Sequence, residues 1–220
     1  MDQAVAIAFD NLPLLLSGLW VTLQLTALAF GLAVVLGTLG AACRTVPFTP
    51  LNWLGATYVE FFRNTPLLVQ MFFAFFALPA VGISLPGFVA AFIALGVYTG
   101  AFMTEAIRAG ILAVNRGQVE AARSLGLGYL PTMRWVVLPQ AFAITVPPVG
   151  SLTSAMVRNS SIASAIAVPE LLYQARVLES RTFATYPIFI TTGLLYLVLT
   201  APIGWGVNWL ERRLGRYRTA

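Results

Sequence analysis

The sequence predicts an all-α, polytopic membrane protein with five transmembrane helices. Of its 220 residues, 59% are hydrophobic and 10% are charged, whereas soluble domains average about 45–50% apolar and about 25% charged residues. Since a helix needs about 20 apolar residues to cross the hydrocarbon core, this length allows about four to seven spans with their connections. We therefore expect a single transmembrane domain over residues 1–220. A soluble globular domain and a disordered chain are excluded.

Uncharged stretches locate the first two spans. Residues 11–43 carry no charge, which predicts a first helix over about 14–38. A second apolar run predicts a helix over about 54–78. This second span contains Thr65-Pro66, which we expect to kink or distort it, because proline removes a helical hydrogen bond.

The remaining spans follow from turn residues and from a polar stretch. Proline and glycine residues between 79 and 87 mark a turn, which places the third span over about 88–106. A polar stretch over 107–134 then predicts a loop, followed by a fourth span over about 135–157. The last apolar run predicts a fifth span over about 186–210.

The arginines predict the orientation. One side of the predicted bundle collects Arg44, Arg108, Arg116, Arg123, Arg134, Arg212, Arg213, Arg216 and Arg218. Since positive residues favour the cytoplasmic face, we expect the N-terminus outside, and the 107–134 loop and the C-terminus in the cytoplasm. No basic residue precedes the first apolar run, so we expect no cleaved signal peptide.

The missing residue types argue against catalysis. The chain has no His and no Lys, and its single cysteine is Cys43. A Ser–His pair, a Lys base, a cysteine cluster and an imidazole metal site are therefore absent. We expect a chain that is not an enzyme and holds no metal. A self-contained channel or secondary carrier stays an alternative, although an odd number of spans does not suit internal repeats.

The 107–134 loop carries the most specific pattern. Good helix formers from Glu120 to Leu125 precede Gly126, a common residue at helix C-termini. Glu120 and Arg123 can pair or contact a partner, and the small Ala121 and Ala122 suit a helix that enters a groove on another protein. An ordinary amphipathic loop helix is the alternative.

Several motifs resemble those of a known family. Glu120-Ala121-Ala122, followed by Gly126, Val136 and Leu138-Pro139 at fixed spacing, resembles the EAA signature of ABC importer permeases, in which Ile is usual at the position of Val136. The segment 58–70, with Arg108-Ala-Gly110-Ile111, Gly117-Gln118 and Leu138-Pro139-Gln140-Ala141, is similar to permeases for polar amino acids of the histidine, glutamine and glutamate type.

This resemblance implies a type I ABC importer permease fold in a bacterial inner membrane. It also implies partners: a cytoplasmic ABC ATPase dimer, a second permease subunit that is identical or a paralogue, and an extracytoplasmic amino-acid-binding protein. The chain itself would bind no cofactor and no nucleic acid, because ATP and Mg²⁺ belong to the ATPase. The residues implied in ATPase coupling are Gln118, Glu120, Ala121, Ala122, Arg123 and Gly126.

The substrate pathway is predicted from the charged and polar residues close to the spans: Glu60, Arg63, Thr65, Arg158, Asn159, Ser160 and Ser161. The family often has Lys-Asp-Thr-Ser-Leu where this chain has Arg158-Asn-Ser-Ser-Ile162, so one negative charge is lost. We therefore expect glutamate as the substrate, moved by alternating access.

Other interpretations of these residues stay open. A neutral or basic amino acid, such as glutamine, arginine or histidine, is the alternative substrate. Arg158 and Asn159 can instead cap helix ends or face lipid headgroups, and Glu60 and Arg63 can form a structural ion pair.

Overall fold

A computed structural model describes residues 10–214. The α-helices are α1 (Leu12–Thr45), α2 (Thr49–Asn64), α3 (Leu67–Phe72), α4 (Gly87–Leu112), α5 (Arg116–Ser124), α6 (Tyr129–Thr132), α7 (Leu138–Asn159), α8 (Leu171–Thr182) and α9 (Thr185–Leu214). Two π turns and two 3-10 helices interrupt this series, at Phe73–Ala77, Met133–Val137, Leu78–Val81 and Ser160–Ile166. Within residues 10–214 there is no β-strand, and Asp2, Arg216 and Arg218 lie outside this range.

Four helical runs in the described part are long and apolar enough to cross a membrane: α1, α4, the run Tyr129–Ile166 that contains α7, and α9. A fifth candidate consists of α2 and the run Leu67–Val81, which meet at a bend of 103°. The predicted all-α polytopic fold is therefore confirmed, with five spans when the bent pair counts as one. The bend falls at Thr65-Pro66, where the sequence predicts a distortion.

Helices α1 and α4 continue past the C-terminal ends that the sequence predicts. Helix α1 continues to Thr45 and α4 continues to Leu112, so Arg44 and Arg108 lie on helices. Both arginines contact Glu105: Arg44 Nη1 lies 2.6 Å from Glu105 Oε1, and Arg108 Nη2 lies 3.0 Å from Oε2. Because these contacts satisfy the charges, the C-terminal ends of α1 and α4 stay helical beyond the uncharged stretches.

Small residues allow α1 and α4 to pack closely. A Cβ atom added at Gly37 would meet the Met103 side chain, and one added at Gly40 would meet Thr104. Ala29, Ala33, Ala90 and Ala94 belong to the same buried cluster. Transmembrane helices associate largely through such close packing, because lipid supplies no hydrophobic driving force between them.

Both π turns precede a proline at the same distance. The turn Phe73–Ala77 ends two residues before Pro79, and Met133–Val137 ends two residues before Pro139. A proline has no N–H group, and its ring collides with the carbonyl four residues earlier. A wider turn relieves this collision. The Leu138-Pro139 pair therefore has a local structural effect at the start of α7.

The crossing of α4 and α7 at Gly110 gives a direct test of this close packing. A methyl group at Gly110 would collide with the Thr145 hydroxyl and lie 3.0 Å from the Ala141 carbonyl oxygen. We expect Gly110→Ala to lower the free energy of unfolding by about 1–3 kcal/mol, the usual cost of overpacking. Thermal unfolding of the purified chain in detergent measures this change.

Gly193→Ala is the matched control, since nothing lies within 4 Å of its added Cβ on α9. It should leave the unfolding temperature unchanged or raise it slightly. Equal unfolding temperatures for the two variants would contradict the packing account.

Candidate functional site

The segment between α4 and α7 forms a short, well-terminated helix. The Asn115 side chain caps α5 by accepting a hydrogen bond from the Gly117 N–H at 2.9 Å. At the other end, Gly126 adopts a φ of +81°, and the Leu127 N–H donates to the Ala122 carbonyl at 3.1 Å. This pattern is a Schellman motif, which needs a left-handed residue and therefore favours glycine. The helix predicted over 120–125 is thus one turn longer at its N-terminal end.

Most of the predicted coupling residues lie on the exposed face of α5. Side chains of Gln118, Glu120, Ala121 and Arg123 are exposed. Ala122, in contrast, is 5% exposed, and Val119 packs against a small core of Val114, Val137 and Ala141. One face of α5 is therefore attached to the start of α7, and only Ala121 of the two alanines is available to a partner.

Apolar side chains extend the exposed face of this segment. Leu125 is 83% exposed and Leu130 is 76% exposed, with Tyr129 between them also exposed. Exposed apolar residues next to charged ones are typical of surfaces that bind another protein. The sequence patterns above do not predict this extension, although Leu125 directly precedes Gly126 and the run 127–130 directly follows it.

The bend between α2 and α3 is held by polar side chains. The Thr65 hydroxyl donates to the Phe61 carbonyl at 2.8 Å. Gln70 Nε2 donates to the carbonyls of Phe62 and Thr65, both at 3.0 Å. These bonds satisfy carbonyls at the end of α2 and at Thr65 just beyond it. They include the Phe62 carbonyl, whose helical donor would be the N–H group that Pro66 lacks.

Gln70 is a pathway candidate that sequence analysis missed. Its side chain is buried, and among the described residues its Oε1 atom has no hydrogen-bond partner. Buried polar atoms are almost always paired, so this acceptor stands out beside Thr65. The motif 58–70 includes Gln70, but nothing in the sequence shows that its amide bridges a bent helix.

Glu60 and Arg63 do not form an ion pair with each other. Glu60 Oε2 accepts from the Asn64 amide at 3.1 Å, and the Arg63 guanidinium lies 5.0 Å from the centre of the Phe102 ring. Within residues 10–214 both salt bridges use Glu105 instead. Glu60 and Arg63 are exposed, so both stay available to a ligand or a partner.

The predicted pathway residues 158–161 lie where α7 changes into a 3-10 helix. Arg158 is exposed and Asn159 is half-buried. The Ser160 hydroxyl is buried and donates to the Val157 carbonyl, while Ser161 donates to the Arg158 carbonyl, each at 2.7 Å. The 3-10 helix packs against α3, so the structure brings these residues close to the bend that contains Thr65.

Glu170 has a structural role that the sequence did not reveal. Its buried carboxylate caps α8 by accepting from the Leu172 and Tyr173 N–H groups at 3.0 and 2.7 Å, and from the Tyr196 hydroxyl at 2.8 Å. Burial raises the pKa of this carboxyl above its ordinary value, while the three hydrogen bonds act in the opposite direction. Glu170 thereby ties the start of α8 to α9.

Known proteins resemble the chain over nearly its full length. A family model described as "Binding-protein-dependent transport system inner membrane component" matches residues 15–216. The probable glutamine ABC transporter permease protein GlnM of Bacillus subtilis is 46% identical, and the match covers 96% of this chain and 97% of that protein. The glutamate transport system permease protein GluC of Corynebacterium glutamicum is 36% identical, with coverages of 92% and 94%.

Solved structures agree with these similarities. A crystal structure of an amino acid ABC transporter with histidines matches with a TM-score of 0.88 and 36% identity, over 93% of this chain and 96% of that one. The MetNI methionine ABC transporter in an inward-facing conformation matches with a TM-score of 0.79 and 23% identity, over 93% and 98%. The second similarity supports the fold only.

Removing the buried cap at Glu170 should destabilise the packing of α8 against α9. In Glu170→Ala, two backbone N–H groups and the Tyr196 hydroxyl lose their acceptor. We expect the free energy of unfolding to fall by about 2–4 kcal/mol, since each unsatisfied buried group costs about 1–3 kcal/mol. Thermal unfolding in detergent measures the loss.

Glu179→Ala provides the comparison, because Glu179 accepts one bond, from the Thr185 hydroxyl at 2.9 Å in an exposed setting. That variant should lose less than about 1 kcal/mol. A Glu170→Ala chain as stable as Glu179→Ala would show that the cap is not needed.

Proposed function

We propose, since the chain belongs to the family of binding-protein-dependent transport system inner membrane components, that it moves a polar amino acid, glutamate first, through the membrane by alternating access. The family and its relatives identify the chain as an amino acid ABC transporter permease, a multi-pass membrane subunit of the kind that works with a separate ATPase.

The observation that carries the proposal is the geometry of residues 115–130. This segment presents Glu120, Ala121 and Arg123 outward, while Val119 packs it against the start of α7 and Ala122 is buried. A protein that binds the outward face and moves would therefore transmit that movement to α7. We propose that two ATPase subunits bind this face in the cytoplasm, in an assembly with a second permease chain, and that ATP-driven closure rearranges the spans.

The proposed orientation places the N-terminus outside and the 107–134 loop in the cytoplasm. It is supported by the arginine distribution, because Arg116, Arg123 and Arg134 lie in or next to this loop. In this orientation, the segment 158–181, with α8, would face the extracytoplasmic binding protein. Its exposed charged residues Arg176 and Arg181 suit such a contact, whereas the buried Glu170 does not.

The proposed substrate pathway passes the bend between α2 and α3 and the nearby 3-10 helix. Broken helices carry substrate sites in membrane transporters, because their unwound ends expose backbone polar groups at membrane depth. Thr65 lies in the bend, and Ser160 and Ser161 begin the 3-10 helix that packs on α3. The exposed Glu60 and Arg63 lie on α2 just before the bend.

The residues at the proposed outer end of this pathway support glutamate as the substrate, because one is positive and its neighbour is neutral. Arg158 is exposed and can pair with a carboxylate. The neighbouring Asn159 is neutral, so an anionic side chain meets no fixed negative charge there. The similarity to the Corynebacterium glutamate permease agrees with this choice.

Glutamine is the second candidate. Its support is the 46% identity with the probable glutamine permease of Bacillus subtilis, and a neutral Asn159 suits an uncharged side chain equally well. Uptake of labelled glutamate, measured with competing glutamine or arginine in cells that express the complete importer, separates these substrates. Competition by arginine alone would contradict both choices.

Mutation of the coupling helix tests the function. We expect Gly126→Pro to reduce amino acid uptake by at least about tenfold, equivalent to about 1.4 kcal/mol of lost coupling. Proline cannot adopt a positive φ and removes the N–H that donates to Arg123. Glu120→Lys reverses an exposed charge and should act in the same direction. Uptake and ATP hydrolysis are measured together, with membrane insertion checked by immunoblot.

Gly126→Asn and Glu120→Gln are the matched controls. Asparagine tolerates the left-handed conformation, and Gln keeps the size of Glu120 without reversing its charge, so both variants should retain most of the uptake. Normal uptake by Gly126→Pro and Glu120→Lys, with both proteins in the membrane, would contradict the coupling role.

A single added charge tests the choice of substrate. In Asn159→Asp, like-charge repulsion should raise the half-saturation concentration for glutamate by about threefold to tenfold, while glutamine uptake changes little. Concentration series with both labelled amino acids in the same cells measure the difference. If the two substrates respond equally, position 159 does not select by charge.

A further inference from the structure

An apolar groove runs along α7, between α1 and α4 on one side and α9 on the other. It consists of two cavities of about 390 and 490 Å³. Phe30, Phe142, Thr145 and Val149 line both cavities, so the two spaces adjoin along the same face of α7. The first cavity continues along α9 past Ile203 and Gly206 to Leu210.

The groove offers little to a polar ligand. Its hydroxyl groups at Thr145 and Thr153 already donate to carbonyls of their own helix, at Ala141 and Val149, with distances of 2.7 and 2.8 Å. Apart from Thr38 in the second cavity, the remaining lining side chains are apolar. Because these helices are membrane spans, a hydrocarbon chain is the occupant that matches this surface.

One end of the groove carries basic and aromatic side chains. On α9, Arg213 follows Leu210 by one helical turn, and its guanidinium lies 4.1 Å from the centre of the Trp209 ring. On α7, Leu138 begins directly after the π turn that contains Arg134, whose guanidinium lies 5.1 Å from the Trp135 ring. Both arginines and both tryptophans are exposed. Helices α7 and α9 belong to consecutive spans, which cross a membrane in opposite directions, so the start of α7 lies at the same end of the bundle as the end of α9.

We propose that this groove is a binding site for an anionic phospholipid. An acyl chain occupies the space along α7, and the phosphate lies at the end marked by Arg134 and Arg213. Basic residues at the ends of spans attract anionic headgroups, and tryptophan favours the same interfacial depth. A second copy of this face would instead bring like-charged arginines together, which charge repulsion opposes.

Two glycines on α9 provide a test in which a new side chain fills the groove and a matched control. Nothing lies within 4 Å of a Cβ added at Gly206 or at Gly204, but only Gly206 lines the groove. The transporter complex is reconstituted into nanodiscs that contain equal parts of phosphatidylglycerol and phosphatidylcholine. Native mass spectrometry then counts the lipids that stay bound to the released complex. We expect phosphatidylglycerol to be retained preferentially, and Gly206→Phe to remove it while Gly204→Phe does not.

The headgroup is tested without altering the groove. Replacing Arg134 and Arg213 together with Gln should weaken phosphatidylglycerol retention by about 25-fold, since each basic residue contributes about fivefold. The matched control replaces Arg176 and Arg181, which lie on α8 at the other end of the bundle. The variant with both Arg134 and Arg213 replaced keeps the proposal testable if Gly206→Phe prevents folding.

Three outcomes would overturn the proposal. Equal retention of the two lipids would remove the anionic preference, and unchanged retention in both Gly206→Phe and the arginine variant would remove the site. Efficient chain-to-chain disulfide formation by Gly206→Cys, with lipid retention unaffected, would show that a second copy covers the groove.

Discussion

Backbone hydrogen bonding inside the hydrocarbon core is the constraint on which the rest of this structure depends. Water is absent there, so every N–H and C=O group needs a partner within the protein. The chain nevertheless departs from the straight α-helix at several places. At each departure, side chains or altered turns restore the lost bonds: Gln70 and Thr65 at the 103° bend, π turns before Pro79 and Pro139, and Ser160 and Ser161 at the end of α7.

The same constraint explains why the proposed functional features coincide with irregular backbone. A straight helix presents only side chains to a polar solute, whereas a broken helix also presents backbone groups. Residues 115–130 lie between the spans α4 and α7, and there the short helix α5 leaves a charged face exposed. The proposed pathway and the proposed coupling segment are therefore connected through α7, which begins at the core that holds α5 and ends at the 3-10 helix near the bend.

Local sequence patterns predict the helices and their interruptions. Absence of charge locates the helices, Gly126 marks the end of α5, and Thr65-Pro66 marks the bend. Contacts between distant parts of the chain could not be predicted in this way. Arg44 and Glu105 are 61 residues apart, and Glu170 and Tyr196 are 26 residues apart. Neither pairing leaves a periodic pattern in the sequence. The Glu60–Arg63 spacing, in contrast, suggests a pair that the structure replaces with Asn64 and Phe102 as partners.

Transport by a reconstituted complex tests the central claim most directly. The chain, co-purified with its ATPase, is placed in proteoliposomes that enclose ATP and Mg²⁺, and the binding protein is added outside with labelled glutamate or glutamine. The account predicts uptake that requires enclosed ATP, the added binding protein and this chain together. Uptake by the chain alone without ATP, or failure of any ATPase to co-purify with it, would contradict the account.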